Sequence, residues 1–398
     1  MKKFTGFNLH MYTEIVFGRE TERQVAAMVK KHGGTKVMLV YGGGSIKLSG
    51  LYDTVTSSFN EGGIPFVELG GVKPNPLRSF AYKGLDIAKK ENVDFVLGVG
   101  GGSAIDTAKA IAIGLAYDAD IWDFYSGKAA PERMCSVGVI NTISAAGSET
   151  SGSTVLVDDV EGTHKKGIMY PNVLRPVFAI MNPELTFSVS AYQTAAGAAD
   201  IFAHTFDRFF IDSSCCLGDE FAAGLLRTVV KYAPVAISRP GDYEARAELM
   251  LAGTFAHNDI TGIGRSGQTL QTHGLESYLS ATYDTAHGAG LAMLMPAWLE
   301  YVIENGGEQR AARAARFAEM VFDVKIDTDN KAAASEGVKR FRAFIKSIGM
   351  PLCLKDMNIP EKDIPEIVKN CRSNAEGLLK GYLDLDKKAV EAIYRTLV

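Results

Sequence analysis

Four side chains in the second half of this 398-residue chain could together hold a metal ion. Asp200 and His204, in AAGAADIFAHTFDRFF, are four residues apart, so on a helix they project from one face with converging side chains. His273 and His287 follow in QTHGLESYLSATYDTAHGAGLAML, fourteen residues apart, with Gly288 and Gly290 just after the second. Of the chain's seven histidines, three fall in this set. One carboxylate and three imidazoles suit a borderline divalent cation such as Fe2+ or Zn2+. Four protein ligands would close a structural zinc site, so catalysis needs room for one more donor. Plainer accounts stay open for each pair alone: a hydrogen-bonded pair on a helix surface at Asp200 and His204, and a helix C-cap at His287. The cost of an unpaired aspartate in apolar surroundings favours the cation.

The first half carries a different signal. In VDFVLGVGGGSAIDTAKAIAIGLA an apolar strand runs into Gly100, Gly101 and Gly102, and a helix begins at or after Ser103. Glycines let backbone approach a phosphate, and the free N–H groups of a helix start attract one. The ordinary alternative is a tight turn with Ser103 as N-cap and Asp106 as the acidic member of a capping box. The spacing is not GxGxxG, and no Walker lysine follows. A second loop, YGGGSIK, follows the strand KVMLVY. An acidic residue at such a strand end binds the ribose 2′-hydroxyl and repels a 2′-phosphate. None occurs before Asp53; Gly43, Gly44, Ser45 and Lys47 stand there instead. NADP(H) is therefore favoured, with NAD(H) possible, although Lys47 reads equally as a solvated helix lysine.

These residues need elements to position them. Up to residue 187 the chain alternates strand and helix patterns: helix 20–32, strand 36–41, helix 48–60, strand 65–69, helix 77–91, strand 95–99, helix 104–115, and strands at 137–140 and 177–181. That order predicts an α/β dinucleotide-binding domain, Rossmann-like with a parallel sheet, over 1–187. From 188 to 398 apolar and aromatic residues recur at helical spacing, which predicts an all-α metal and substrate domain, with the cleft between the two as the default site. A net charge of −4 leaves no electrostatic footprint for nucleic acid or an anionic membrane. No apolar run reaches the ~18 residues of a membrane span. The start, MKKFTGFNLHMYTEIVFG, lacks the apolar core of a signal peptide. Five scattered cysteines without CxxC spacing fit a reduced, cytoplasmic setting.

Taken together, GGGSAIDTAKAIA, NTISAAGSETSG, NPELT, the Asp200/His204 helix and YDTAHGAGLAMLMPAW resemble the iron-containing (group III) alcohol dehydrogenase family. YGGGSIKLSGLYD and WDFYSGKAA look most like its butanol dehydrogenase and NADPH-dependent aldehyde reductase branch. The resemblance covers nearly the whole chain. It implies a divalent metal on Asp200, His204, His273 and His287, through which those residues would be catalytic. For the coenzyme it implies Gly43, Gly44, Ser45 and Asn75, then Gly101, Gly102, Ser103 and Asp106. Thr142, Ser144, Lys166 and Leu185 complete that set, with a shift of one residue open at Lys166. It also implies a homodimer or larger homo-oligomer.

One position departs from the pattern. Where many members carry a histidine four residues after the one matching His273, this chain has Ser277, and a hydroxyl is no base near pH 7. Tyr283 and Asp284 are the neighbouring polar alternatives. The expected reaction is reversible hydride transfer between NAD(P)H and a short primary alcohol or aldehyde. A metal-dependent polyol (glycerol-type) dehydrogenase and a non-catalytic nucleotide-binding redox sensor are the competing readings. A sugar-phosphate substrate would need several cations, and 260–300 offers only Arg265.

Overall fold

The computed structural model describes residues 4–162, 164–213, 215–265 and 270–398; Lys2 and Lys3 lie outside them. Two compact units result. The first holds eight strands: β1 (Glu14–Phe17), β2 (Val37–Tyr41), β3 (Phe66–Gly70), β4 (Phe95–Gly100), β5 (Ser136–Asn141), β6 (Ser153–Asp158), β7 (His164–Met169) and β8 (Phe178–Met181). Six of them form one sheet in the order β1-β8-β5-β4-β2-β3, and every pairing in it is parallel. Strand residues alternate between its faces with period two. Leu39, Tyr41, Leu97 and Val99 pack on the helices Val25–Lys31 and Leu51–Gly62. Met38, Val40, Val96 and Val139 pack on Ile105, Ala108 and Ile111 of the helix Gly102–Leu115. Both faces are covered, which is why the central strands read as unbroken apolar runs.

The α/β expectation holds, with two strand elements unforeseen: edge strand β1, and the antiparallel hairpin β6–β7 that stands outside the main sheet. The hairpin is pinned from the helix Gly102–Leu115. Lys109, fully buried, donates to the carbonyls of Ser148 (2.8 Å), Ser151 (2.9 Å) and Ser153 (2.8 Å). Burial pushes its pKa down to about 8 against the pull of Asp106 and Glu149. The Asp106 carboxylate accepts from Ser148 Oγ (2.7 Å) and from the Val155 N–H (3.1 Å). The capping box, the ordinary alternative for this turn, does not form. Gly100 has φ 150° and turns the chain so sharply that Gly101 is the N-cap, which puts Asp106 beyond the first turn and facing the hairpin.

The second unit is helical. At its centre is Ala191–Phe209, begun by Ser190, whose hydroxyl accepts from the Gln193 N–H (3.2 Å). This helix is buried all round from Thr194 onward, the property of a core helix rather than an amphipathic one. One face carries Phe202 and Phe206, packed with Phe317, Phe341 and Trp298. The opposite face carries Asp200, His204 and Asp207. The α/β unit runs on to Val189, two residues past a cut at 187/188, and two further segments change sides. Gly241–Met250 joins the α/β unit, where Met250 packs on Ala179 and Met181, and the described residues up to Leu9 join the helical unit, where the Thr5 N–H donates to Gly264 (3.0 Å). Among the described residues no helix is long and apolar enough to cross a membrane.

Replacing Lys109 by Met removes the cation from Asp106 and the donor that the Ser148, Ser151 and Ser153 carbonyls share. The expected cost is about 3–5 kcal/mol, read as a lowered urea midpoint; an unchanged midpoint would refute the pinning role.

Candidate functional site

Asp200, His204 and His273 each direct one ligand atom into a common space, all within 4.8 Å of one another. His204 Nε2 is 3.6 Å and His273 Nε2 3.8 Å from Asp200 Oδ1. The helical spacing of the first pair brings Asp200 and His204 together, and the third member, His273, comes from the helix Gln271–Tyr283. That helix has no cap of its own. Asp207, from the central helix, supplies one by accepting from the Thr272 N–H (3.1 Å) and Thr272 Oγ1 (2.9 Å).

Asp207 also fixes the ring of His273, lying 2.8 Å from its Nδ1. An ionised carboxylate only accepts, so Nδ1 carries a hydrogen and Nε2, facing Asp200, is the ring atom that would meet a cation. His287 is held the same way: Glu276, fully buried, bonds its Nδ1. Carboxylates behind imidazoles are the usual support of metal-ligating histidines, fixing tautomer and orientation. His287 stands beside the three-atom cluster rather than within it, its ring 5.3 Å from that of His273. Its approach is set by main chain. A Cβ on Gly288 would collide with the Ala196 carbonyl, so the helix His287–Asn305 touches the central helix there only through glycine.

The residues fit a dication. His273 Nε2 is buried without a hydrogen-bond partner. Three buried carboxylates, Asp200, Asp207 and Glu276, share the cluster with one buried guanidinium, Arg208, leaving negative charge in excess by two. Burial opposes charge on His273, yet Asp200 and Asp207 outweigh it and lift its pKa to about 9. The cluster therefore attracts positive charge that a divalent cation can supply in place of a proton. His204 lies well below the ordinary imidazole range, through burial and then the neighbouring His257 and His273.

The remaining polar candidates are occupied elsewhere. Ser277 Oγ donates to Gly274 O (3.1 Å) in its own helix, and Tyr283 OH donates to Asp363 (2.9 Å). Asp284, at φ 50°, is the exposed C-cap of that helix.

In the α/β unit, β2 and β4 are neighbours although the chain visits β3 between them. The connections leave in opposite directions here, which makes a topological switch point, the place where open α/β sheets bind ligands beyond their strands' carboxyl ends. Tyr41 pairs with Val99, so the loop bearing Gly43, Gly44 and Ser45 and the turn bearing Gly101, Gly102 and Ser103 leave the sheet side by side. Asn75, in the left-handed region at φ 54°, follows β3. Thr142 and Ser144 follow β5, and Leu185 follows β8. Ser144 Oγ is buried without a partner. Lys166 is different: it lies exposed on β7 opposite Leu156. Lys165, on the other face, is the lysine whose charge reaches Asp106. Asp207 and Glu276 escaped the sequence reading; their signal was an acid three residues after each of two ligand histidines, His204 and His273.

A parallel-sheet unit with glycine loops at its switch point, together with a helical unit carrying an aspartate–histidine cluster, defines a metal-dependent nicotinamide dehydrogenase. Comparison with known proteins gives the same class. Residues 13–183 match the family described as iron-containing alcohol dehydrogenase, and residues 194–398 match its C-terminal domain. NADH-dependent butanol dehydrogenase A of Clostridium acetobutylicum is 35% identical over 98% of both chains. The NADPH-dependent aldehyde reductase YqhD of Escherichia coli is 29% identical, again over 98% of both. The crystal structure of NADH-dependent butanol dehydrogenase A from Thermotoga maritima superposes with a TM-score of 0.93 at 38% identity, covering 99% of each chain. The chain belongs to the iron-containing alcohol dehydrogenase family, as its motifs led us to expect, and is an NAD(P)-dependent enzyme acting on alcohols or aldehydes.

Asp207→Asn turns an NH2 donor toward His273 Nδ1 and favours the wrong tautomer. Metal affinity should fall about 10–100-fold in a chelator competition; wild-type retention would show that the carboxylate does not set the ring.

Proposed function

We propose that the enzyme transfers a hydride reversibly between NAD(P)H and a short primary alcohol or aldehyde, butanol and butanal among them. The observation that carries the reading is the Asp200–His204–His273 cluster, with its donor atoms within 4.8 Å. The names of the Clostridium and Escherichia relatives, one a butanol dehydrogenase and one an aldehyde reductase, support the substrate class. Asp200, His204, His273 and His287 would hold the cation. When bound, it would supply a Lewis acid for the substrate oxygen. Fe2+ and Zn2+ suit these donors equally.

The chain's own residues constrain the proton. His273 and His287 each keep Nδ1 on a carboxylate, and Ser277 is bonded within its helix, so none is a free base. The alcohol proton then leaves through water or the coenzyme ribose. A sugar-phosphate substrate gains no support, because Arg265 is committed to Asp219.

For the coenzyme we assign Gly43, Gly44 and Ser45 with Gly101, Gly102 and Ser103 to the phosphates. Thr142, Ser144, Asn75 and Leu185 would lie beside it, with Lys165 a better candidate than Lys166. Asp106 would act by holding Ser148. NADP(H) remains favoured: the end of β2 has no carboxylate, and Lys47 stands 4.7 Å from the Tyr52 ring just beyond the loop. A homo-oligomer in a reduced cytoplasmic setting completes the reading, supported by the exposed Phe4 and Phe7 and by cysteines that are all free. Light scattering on the purified chain should return a multiple of 42.9 kDa; a monomer would overturn that part.

One assay series separates the two assignments. Asp200→Ala or His287→Ala should abolish butanal turnover while NADPH still binds, as read by fluorescence titration. Near-normal rates in either variant would remove the metal role. Gly43→Asp should weaken NADPH more than NADH, and equal weakening would remove the 2′-phosphate argument.

A further inference from the structure

His257 is a fourth imidazole in this region, one that the reaction does not use. It follows the helix Tyr243–Ala256, at the end of the mostly apolar run LAGTFA, and is 6% exposed. Its ring centroid is 4.1 Å from that of His204 at an interplanar angle of 33°. His204 also touches His273 (4.3 Å), so two imidazoles flank it.

Arg208, one turn beyond His204 and 1% exposed, connects these groups. Its Nη2 donates to His257 Nδ1 (2.7 Å), and its Nη1 donates to the His204 carbonyl (2.8 Å). A guanidinium has donors only, so His257 Nδ1 must be the acceptor and the hydrogen of the neutral ring sits on Nε2. Its Nδ1 is therefore unavailable to a cation. Arg208 is itself fixed, because its own carbonyl accepts from Arg265, which is paired with Asp219.

We propose that His257, held by Arg208, is a positioning residue that sets the ring of His204 for the cation. The proposal rests on the metal reading above. One guanidinium ties the main chain of His204 to the ring lying against its side chain, so His204 cannot rotate without displacing His257. This is support by stacking and a neutral acceptor, where His273 and His287 are supported by carboxylates.

Cobalt(II) titration of the purified full-length chain tests it, reading affinity and the visible ligand-field bands. His257→Leu leaves Arg208 Nη2 without its acceptor and removes the stacked ring; His257→Gln restores an acceptor oxygen. We expect His257→Leu to bind cobalt about 10–100-fold more weakly with shifted bands, and His257→Gln to recover most of the affinity. Melting of the metal-free proteins controls for folding. If His257→Leu is too unstable to purify, His257→Phe, which keeps a flat ring but no acceptor, takes its place, and weaker binding with shifted bands is again expected. Wild-type affinity and bands in the Leu or Phe variant overturn the proposal, as does equal weakening by Gln. Failure of the wild-type chain to take up one cobalt would instead sink the metal reading itself.

Discussion

Burying Asp200 among imidazoles is the constraint that organises the helical unit. An ionised carboxylate out of water costs several kcal/mol unless opposite charge and hydrogen bonds return them. Here the surroundings add two further buried carboxylates, Asp207 and Glu276, each committed to the far side of a histidine ring. Such an arrangement makes poor sense as a stabilising core. It makes good sense as a cage whose stability is completed by a doubly charged ion, with the aromatic packing of Phe202, Phe206, Phe317 and Phe341 carrying the other face of the same helix.

The α/β unit meets a different requirement, that of gathering loops from distant parts of the sequence at one place. Parallel strands all end at one edge, so residues from five separate segments of sequence collect there, and the parallel pairing of β2 with β4 places two glycine turns next to each other. Lys109 and Asp106 stabilise this edge from below, holding the segment that runs from Ser148 into β6.

Much of this was legible in the sequence. The central strands declared themselves because both sheet faces are covered, and Asp200 with His204 because four residues make one helical turn. What escaped has a common physical cause. Edge strand β1 has four residues and none of them buried, and β7 opens on the polar run HKKG, so their patterns are weak. Asp207 and Glu276 serve partners on other helices or eleven residues away, so an acid three residues after His204 and after His273 is visible in the sequence without saying which ring it holds. His257 is of the same kind: a histidine in an apolar run is informative only once Arg208 is seen to hold it. Asp106 was read by its distance from Ser103, but the turn at Gly100 moved the helix start and with it the whole register of caps.

The contact at Gly288 reaches beyond packing. Because peptide atoms of two helices meet there with no side chain between them, the distance from Ala196 to the start of the His287 helix is written into the main chain. Side chains elsewhere in the unit can then be exchanged, reshaping what the proposed site accepts, without altering the spacing between the helix of Asp200 and that of His287.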